Sequence, residues 1–443
     1  MNRLTTILLF GLIFLMPFGT YLLSFDLGPI HIFPFRLTLG ITVLVLLFTK
    51  QLKLGTGFFT KMLSYLFIIW LGYATLSFIW VENYTEAIKD MFYLGTAFSI
   101  HLSLVSILSD PNKDKTLGQA WLLGFLVMNV YGMIEMETGK HISLSFINTL
   151  NELDFGHPLN FTPVATLDNP NTYSLYLLFS LPIMLLFLNN YKNLLPIFWG
   201  VVLYQVVVDS SRFGLIAYIA MASIWIIHSI YVNWKNELPF SVSHVLVAVM
   251  IIVATNIVLH QQQSWQFSES FSSSKEYGFV EEMNADSTLN SFQVRKGLML
   301  NGTQFFLESY GMGIGAGQYS HYNKTDQGNL PTGTVLNPHC FVMEILSQYG
   351  FPIFILAFGL MAFMVIFFFR MALKATAPFL LVDFGLMMMV AYLPMSNATS
   401  SFMQLPFNWV ALALMAIAAD RILATKQVKP NLKSVLAALN QSS

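Results

Sequence analysis

Three side chains in this chain are suited to charge-driven chemistry. They are Arg212 in DSSRFGLIAYIAM, Arg295 in NSFQVRKGLMLNGTQFF and His339 in LNPHCFVMEILSQYGFPIF. A guanidinium stays charged and presents a planar fork that grips a phosphate with two hydrogen bonds. An imidazole titrates near neutrality, so it suits a hydroxyl that must be positioned or deprotonated. Each also has a plainer reading. Arg212 fits a helix-end arginine that snorkels or pairs with Asp209. Arg295 fits a solvated loop cation beside Lys296, and His339 an interfacial side chain at a helix start.

Their polar neighbours are equally open to two readings. Asn169-Pro170-Asn171 reads as a helix cap followed by a proline start, with a substrate contact as the second possibility. Pro338 pushes Asn337 out of helical geometry and suits a helix beginning near His339. Glu344 lies five residues further on, not quite on the same face, as another ionisable group in apolar surroundings. Either it orients a neighbour or it pairs with an arginine. Acidic residues expected on the same side (Glu135, Glu137, Glu152, Asp154, Asp168 and Asp209) show no Asp-x-Asp or His-x-x-x-His ligand spacing. A metal-independent site without a cofactor is expected.

The elements that position these residues follow from composition. The 443 residues are 55% hydrophobic and 10% charged, with mean hydropathy +0.62. An average soluble domain carries roughly a quarter charged residues, so an integral membrane protein is expected. A hydrocarbon core about 30 Å thick needs about 20 apolar residues per helix. Twelve candidate spans fall near 4–24, 31–49, 61–80, 91–109, 117–135, 172–189, 194–209, 212–231, 241–260, 351–369, 378–395 and 405–424. The seventh and eighth are short and share the charged seam VVVDSSRFG. The apolar start, with Arg3 and no small-residue cleavage site, reads as a retained first span.

Lys and Arg collect on the side shared by the two termini, which the positive-inside rule makes cytoplasmic. Loops 136–170 and 261–338 then face outward, together with the candidate residues. The expected plan is a membrane region 1–260 with nine helices, an extracytoplasmic helical cap 261–338, helices ten to twelve within 339–424, and a cytoplasmic tail 425–443. Loop aromatics (Trp265, Phe292, Phe305, Phe306, Tyr310, Tyr319 and Tyr322) suit either burial of the cap or stacking on sugar rings. The single cysteine, Cys340, excludes an internal disulfide, and no basic stripe suggests nucleic acid. The short cytoplasmic loops leave no room for a nucleotide-binding domain. GMGIGAGQY departs from G-x-G-x-x-G at Ala316 and Gln318, and reads more readily as a turn than as a phosphate cradle.

Taken in order, these motifs resemble the O-antigen ligase and polymerase family of membrane glycan-assembly proteins. The resemblance rests on Asn-Pro-Asn (169–171), Ser-Arg-x-Gly (211–214), Arg295, Gly-x-Gly-x-Gly (313–317) and Asn-Pro-His ahead of a Gly-Phe-Pro break (337–352). It spans roughly residues 160–370, and Gram-positive relatives include teichuronic acid and capsular polysaccharide polymerases. It implies a glycosyltransferase C-like, all-α polytopic fold. It also implies transfer of an undecaprenyl-diphosphate-linked glycan on the outer face of the cell membrane. Cys340 stands where many members carry asparagine, a far stronger hydrogen-bonding group.

The expected catalytic residues are His339, Arg212 and Arg295, with the arginines clamping the diphosphate and the histidine engaging the acceptor hydroxyl. The expected substrate-binding set is Arg212, Arg295, Asn171, Asn337 and Glu344. Expected partners are the lipid-linked oligosaccharide, membrane lipid, and chain-length regulator or flippase proteins. Two other functions fit part of the pattern: ligation to a different acceptor, and a flippase for lipid-linked oligosaccharide. A flippase should carry cations along both halves of its path and an internal repeat, and neither is visible.

Overall fold

The computed structural model describes residues 2–19, 23–141, 161–167, 169–187, 194–209, 211–236, 245–256, 291–325, 327–332, 335–374, 379–399 and 401–427. Trp265, Glu152, Asp154 and Asp168, and the tail beyond 427, lie outside them, as does the side chain of Phe292.

Apart from a hairpin of two short strands, β1 (Phe25–Leu27) and β2 (Ile30–Ile32), the described regular structure is helical. The helices are α1 (Asn2–Leu15), α2 (Pro34–Phe48), α3 (Phe58–Leu76), α4 (Tyr84–Ile107), α5 (Asp114–Thr138), α6 (Pro170–Phe187) and α7 (Leu195–Val208). They continue with α8 (Arg212–Lys235), α9 (Val245–Asn256), α10 (Ser291–Glu308), α11 (Gln318–Lys324), α12 (Phe341–Ala372), α13 (Phe379–Met395) and α14 (Pro406–Gln427). Seven of the described helices are long and apolar enough to cross a membrane, and five shorter apolar helices occupy the other expected positions. The shortness is geometric. The 14 residues of α7 rise only about 21 Å at 1.5 Å each, less than a hydrocarbon core.

Helices α6 and α14 lie deepest, each with 78% of its apolar window enclosed by protein. Around them α8 packs on α13, α1 on α5, and α3 on α4. Several polar groups inside this bundle find partners, as a low dielectric favours. Trp121 donates to Ser180 Oγ at 2.9 Å, and Tyr173 to Gln205 Oε1 at 2.5 Å. Asp420, near the end of α14, accepts from the backbone N–H of Phe59 and Thr60 at 2.8 and 3.0 Å. A carboxylate there satisfies orphan donors at the start of α3 and suits the positive end of its dipole.

Helix α12 is two pieces. Gly350 breaks it with φ 66° and ψ −167°, and Pro352 follows inside the longer piece. A short arm, 341–349, therefore precedes the long apolar helix. Ahead of it, α10 and α11 share a small core of Val294, Leu298, Phe305, Ile314 and Tyr319. Phe305 and Tyr319 thus serve packing, whereas Tyr310 is 95% exposed.

Candidate active site

The site is built at one end of the bundle, where α6, α8 and α12 all begin. Asn169 starts α6 as a cap, since its Oδ1 accepts from Asn171 N at 2.9 Å and its carbonyl from Tyr173 N at 3.0 Å. Ser211 caps α8, accepting from Gly214 N at 3.2 Å. A Cβ on Gly214 would stand 2.9 Å from Ser211 Oγ and 3.0 Å from Val206, so the glycine lets the turn close. Ser211 Oγ also donates to Asn171 Oδ1 at 2.9 Å. Asn-Pro-Asn and Ser-Arg-x-Gly are therefore one hydrogen-bonded unit, and it fixes the backbone from which Arg212 projects. Asp209, the carboxylate suggested as a partner for Arg212, accepts instead from Ser174, and its other oxygen is buried without a bond.

Arg295 reaches this unit from α10. Its guanidinium lies 5.8 Å from the centre of the Phe213 ring, a cation–π contact. Burial and then the neighbouring Arg212 hold its basicity below the ordinary arginine value. Arg212 thus lies close enough to act on the charge of Arg295.

His339 completes the group. Burial first, and the charge of Arg295 second, push its pKa down to about 4. The ring is therefore neutral at physiological pH. One ring nitrogen is bonded to the backbone of Ala398, while Nδ1 is buried without a partner. Nε2–H is accordingly the donor to the Ala398 carbonyl, leaving the Nδ1 lone pair to accept a proton. His339 has φ +46°, a left-handed conformation costly for a residue with a Cβ.

Residues 197–358 match the family described as O-antigen ligase. The teichuronic acid biosynthesis protein TuaE of Bacillus subtilis (strain 168) is 23% identical over 393 residues, covering 84% of this chain and 74% of its own. The chain thus carries an O-antigen ligase-like region. The matched stretch holds Arg212, Arg295, the glycine turn and His339, while Asn169–Asn171 lies before it. The hydrogen bond from Ser211 to Asn171 ties that earlier motif to the family region.

The glycine turn acts as a fastener. Gly311, Gly313, Gly315 and Gly317 all have positive φ. Ile314 N and Gly315 N donate to the carbonyls of Ser347 and Gln348 at 2.8 and 2.9 Å, and Phe351 N returns a bond to Gly311 O at 2.8 Å. A Cβ on Gly317 would sit 2.2 Å from the carbonyl oxygen of Glu86, a close approach that only glycine allows. Gln318 then clasps the start of α4, accepting from Glu82 N and Asn83 N at 3.1 and 2.9 Å. The turn thereby locks α10 and α11 onto the α12 break.

The remaining candidates play different structural parts. Asn337 Oδ1 accepts from Ser320 at 2.8 Å, joining the segment that carries His339 to α11. Glu344 is 4% exposed and accepts from Ser401 at 2.9 Å. Cys340 Sγ donates to Asn397 Oδ1 at 3.0 Å, and Phe341 N to Ser396 O at 3.0 Å. The segment around 396–401 thus backs His339, Cys340 and Glu344 together. Sequence reasoning missed it; its signal is the polar run SNATSS between two apolar helices, which reveals no partner. Glu135, considered above among acidic groups, holds Val164 N and Ala165 N at 2.8 and 2.6 Å.

Proposed function

We propose that this protein polymerises a cell-surface polysaccharide, transferring an undecaprenyl-diphosphate-linked glycan to an acceptor sugar on the outer face of the cell membrane. The observation that carries the reading is the convergence of Arg212, Arg295 and His339 from three separate elements: burial and then Arg212 lower the proton affinity of Arg295, and burial and then Arg295 lower that of His339. A teichuronic acid biosynthesis protein among the relatives supports polymer assembly as the setting.

In this account the bond between the donor's anomeric carbon and the diphosphate oxygen breaks. Its electron pair leaves on undecaprenyl diphosphate, where the two guanidiniums meet the growing charge. The acceptor oxygen bonds to that carbon, and its proton passes to His339 Nδ1. Diphosphate also offsets the field of Arg295, so donor binding makes His339 a better base at the moment it is needed. No metal is required for this charge balance. Asn171 and Asn337 border the site and supply substrate contacts, with Glu344 acting from behind. In this reading the twelve apolar helices sit in the membrane, both termini are cytoplasmic, and residues 261–338 form the outer cap.

The test is chain extension by purified protein given an undecaprenyl-diphosphate-linked repeat unit, with products sized on a gel. A ladder that persists in EDTA and disappears in His339→Ala supports the proposal. Transfer of glycan once to a different acceptor would make the protein a ligase, and transbilayer movement of intact donor without extension would make it a flippase. A ladder that needs added Mg²⁺ or Mn²⁺ would overturn the metal-free mechanism.

A further inference from the structure

A cavity of about 550 Å³ lies at the other end of the bundle. Helix α6 links the two places: Asn171 stands at its start, whereas Ile183, Leu186 and Phe187, near its end, line the cavity. Sixteen residues of helix separate Asn171 from Phe187, about 24 Å at 1.5 Å per residue. The volume falls within the ~300–1,000 Å³ of pockets that hold small ligands. Ten of its thirteen lining side chains are apolar; the other three are Asp114, Lys115 and Arg421.

The three charges do not cancel. Arg421 is spent on Asp114, with its fork bonded to both carboxylate oxygens at 2.6 and 2.8 Å, and it also donates to Leu108 O at 3.0 Å. Lys115 is exposed and forms no ion pair among the described residues. The result is an apolar chamber between helices with, among the described residues, one uncompensated cation at its rim. That chemistry fits an amphiphile with a hydrocarbon chain and an anionic head. Basic pockets between membrane helices are recognised sites for anionic lipid headgroups.

We propose that this cavity binds an anionic glycerophospholipid from the leaflet opposite the His339 site. One acyl chain enters between α5, α6, α13 and α14, and the phosphate meets Lys115. The polyprenyl donor is the poorer occupant, because its diphosphate belongs at the arginines on the far face. The Asp114–Arg421 pair closes one wall of the mouth and leaves Lys115 to select the headgroup. The preference over the polyprenyl donor rests on the arginine clamp proposed above, whereas the apolar lining and Lys115 argue for an anionic lipid by themselves.

The experiment uses the purified full-length protein in detergent, offered phosphatidylglycerol, phosphatidylcholine or undecaprenyl phosphate, with retained lipid counted by native mass spectrometry. Phosphatidylglycerol should be kept in preference to phosphatidylcholine. Lys115→Glu should lower that retention at least about fivefold, given the worth of one surface cation to an anionic lipid, and Lys115→Arg should preserve it. Ile183→Trp, which fills the cavity, should reduce every glycerophospholipid; if that variant fails to fold, the two Lys115 variants decide alone. Equal retention of the two phospholipids, or indifference to Lys115→Glu, would overturn the proposal. Preferential retention of undecaprenyl phosphate would also overturn it and make the cavity a donor-tail pocket.

Discussion

The two ends of the helical bundle treat charge in opposite ways. At the cavity end, Arg421 is bonded by both arms to Asp114, and Asp420 is consumed in capping α3. At the other end, Arg212 and Arg295 sit close enough to oppose each other, and Arg295 also opposes protonation of His339. His339 is left-handed and the four glycines of the turn have positive φ, while Lys50 is a left-handed residue at the cavity end. A fold gains nothing in stability from gathered like charges or strained residues. The cations gathered near His339 are what the proposed diphosphate would meet, whereas the Asp114–Arg421 pair at the other end joins α5 to α14.

The contrast can be broken by substitution. The largest effect should come from Arg212→Lys, which keeps the charge and loses the fork; polymer formation should fall about 10²–10³-fold, the usual loss for one transition-state donor. Near-normal product would remove the diphosphate clamp. Gly317→Ala should come next. Its Cβ would meet a backbone oxygen at 2.2 Å from a left-handed residue, so about 1–3 kcal/mol of strain must appear. Faster limited proteolysis between α10 and α12 should accompany a lowered Tm, and an unchanged Tm would contradict the fastening role.

The pH profile offers a finer test. Because kcat/KM reports groups of the free enzyme, its acid limb should lie near the depressed value of about 4 for His339. Arg295 lowers that pKa, so Arg295→Gln should move the limb to higher pH while desolvation still holds it below about 6.5. A limb that stays put would dissociate the two residues. The smallest effect belongs to the paired end. Arg421→Ala removes a pair whose side chains are 31% and 32% exposed, so stability should change by about 0–1 kcal/mol and the rate of polymerisation hardly at all.

Much of this arrangement was legible in the chain itself, because capping, proline placement and the glycine break are local. Asn169 does cap α6, and Gly350 does divide α12 ahead of Pro352. The glycine turn is a turn, as its poor fit to a phosphate loop suggested, although its role as a fastener between α4 and α12 depends on bonds across long separations. Glu344 shows the limit most clearly. Its sequence gives an ionisable residue on an apolar helix, and only folding brings Ser401 against it, 57 residues away. The backing of His339 by Ala398 was hidden for the same reason. Span number was harder than span position, since apolar runs mark where helices lie, while their ends depend on loops and packing.

The most direct measurement of the central claim is a double-mutant cycle on donor affinity. Binding of undecaprenyl diphosphate to purified wild type, Arg212→Gln, Arg295→Gln and the double variant would be measured at one ionic strength. If the two arginines clamp one diphosphate, each single change weakens binding at least about tenfold, and the double loss falls short of the product of the two. Single variants that bind like wild type, or losses that multiply as for independent sites, would contradict the shared clamp.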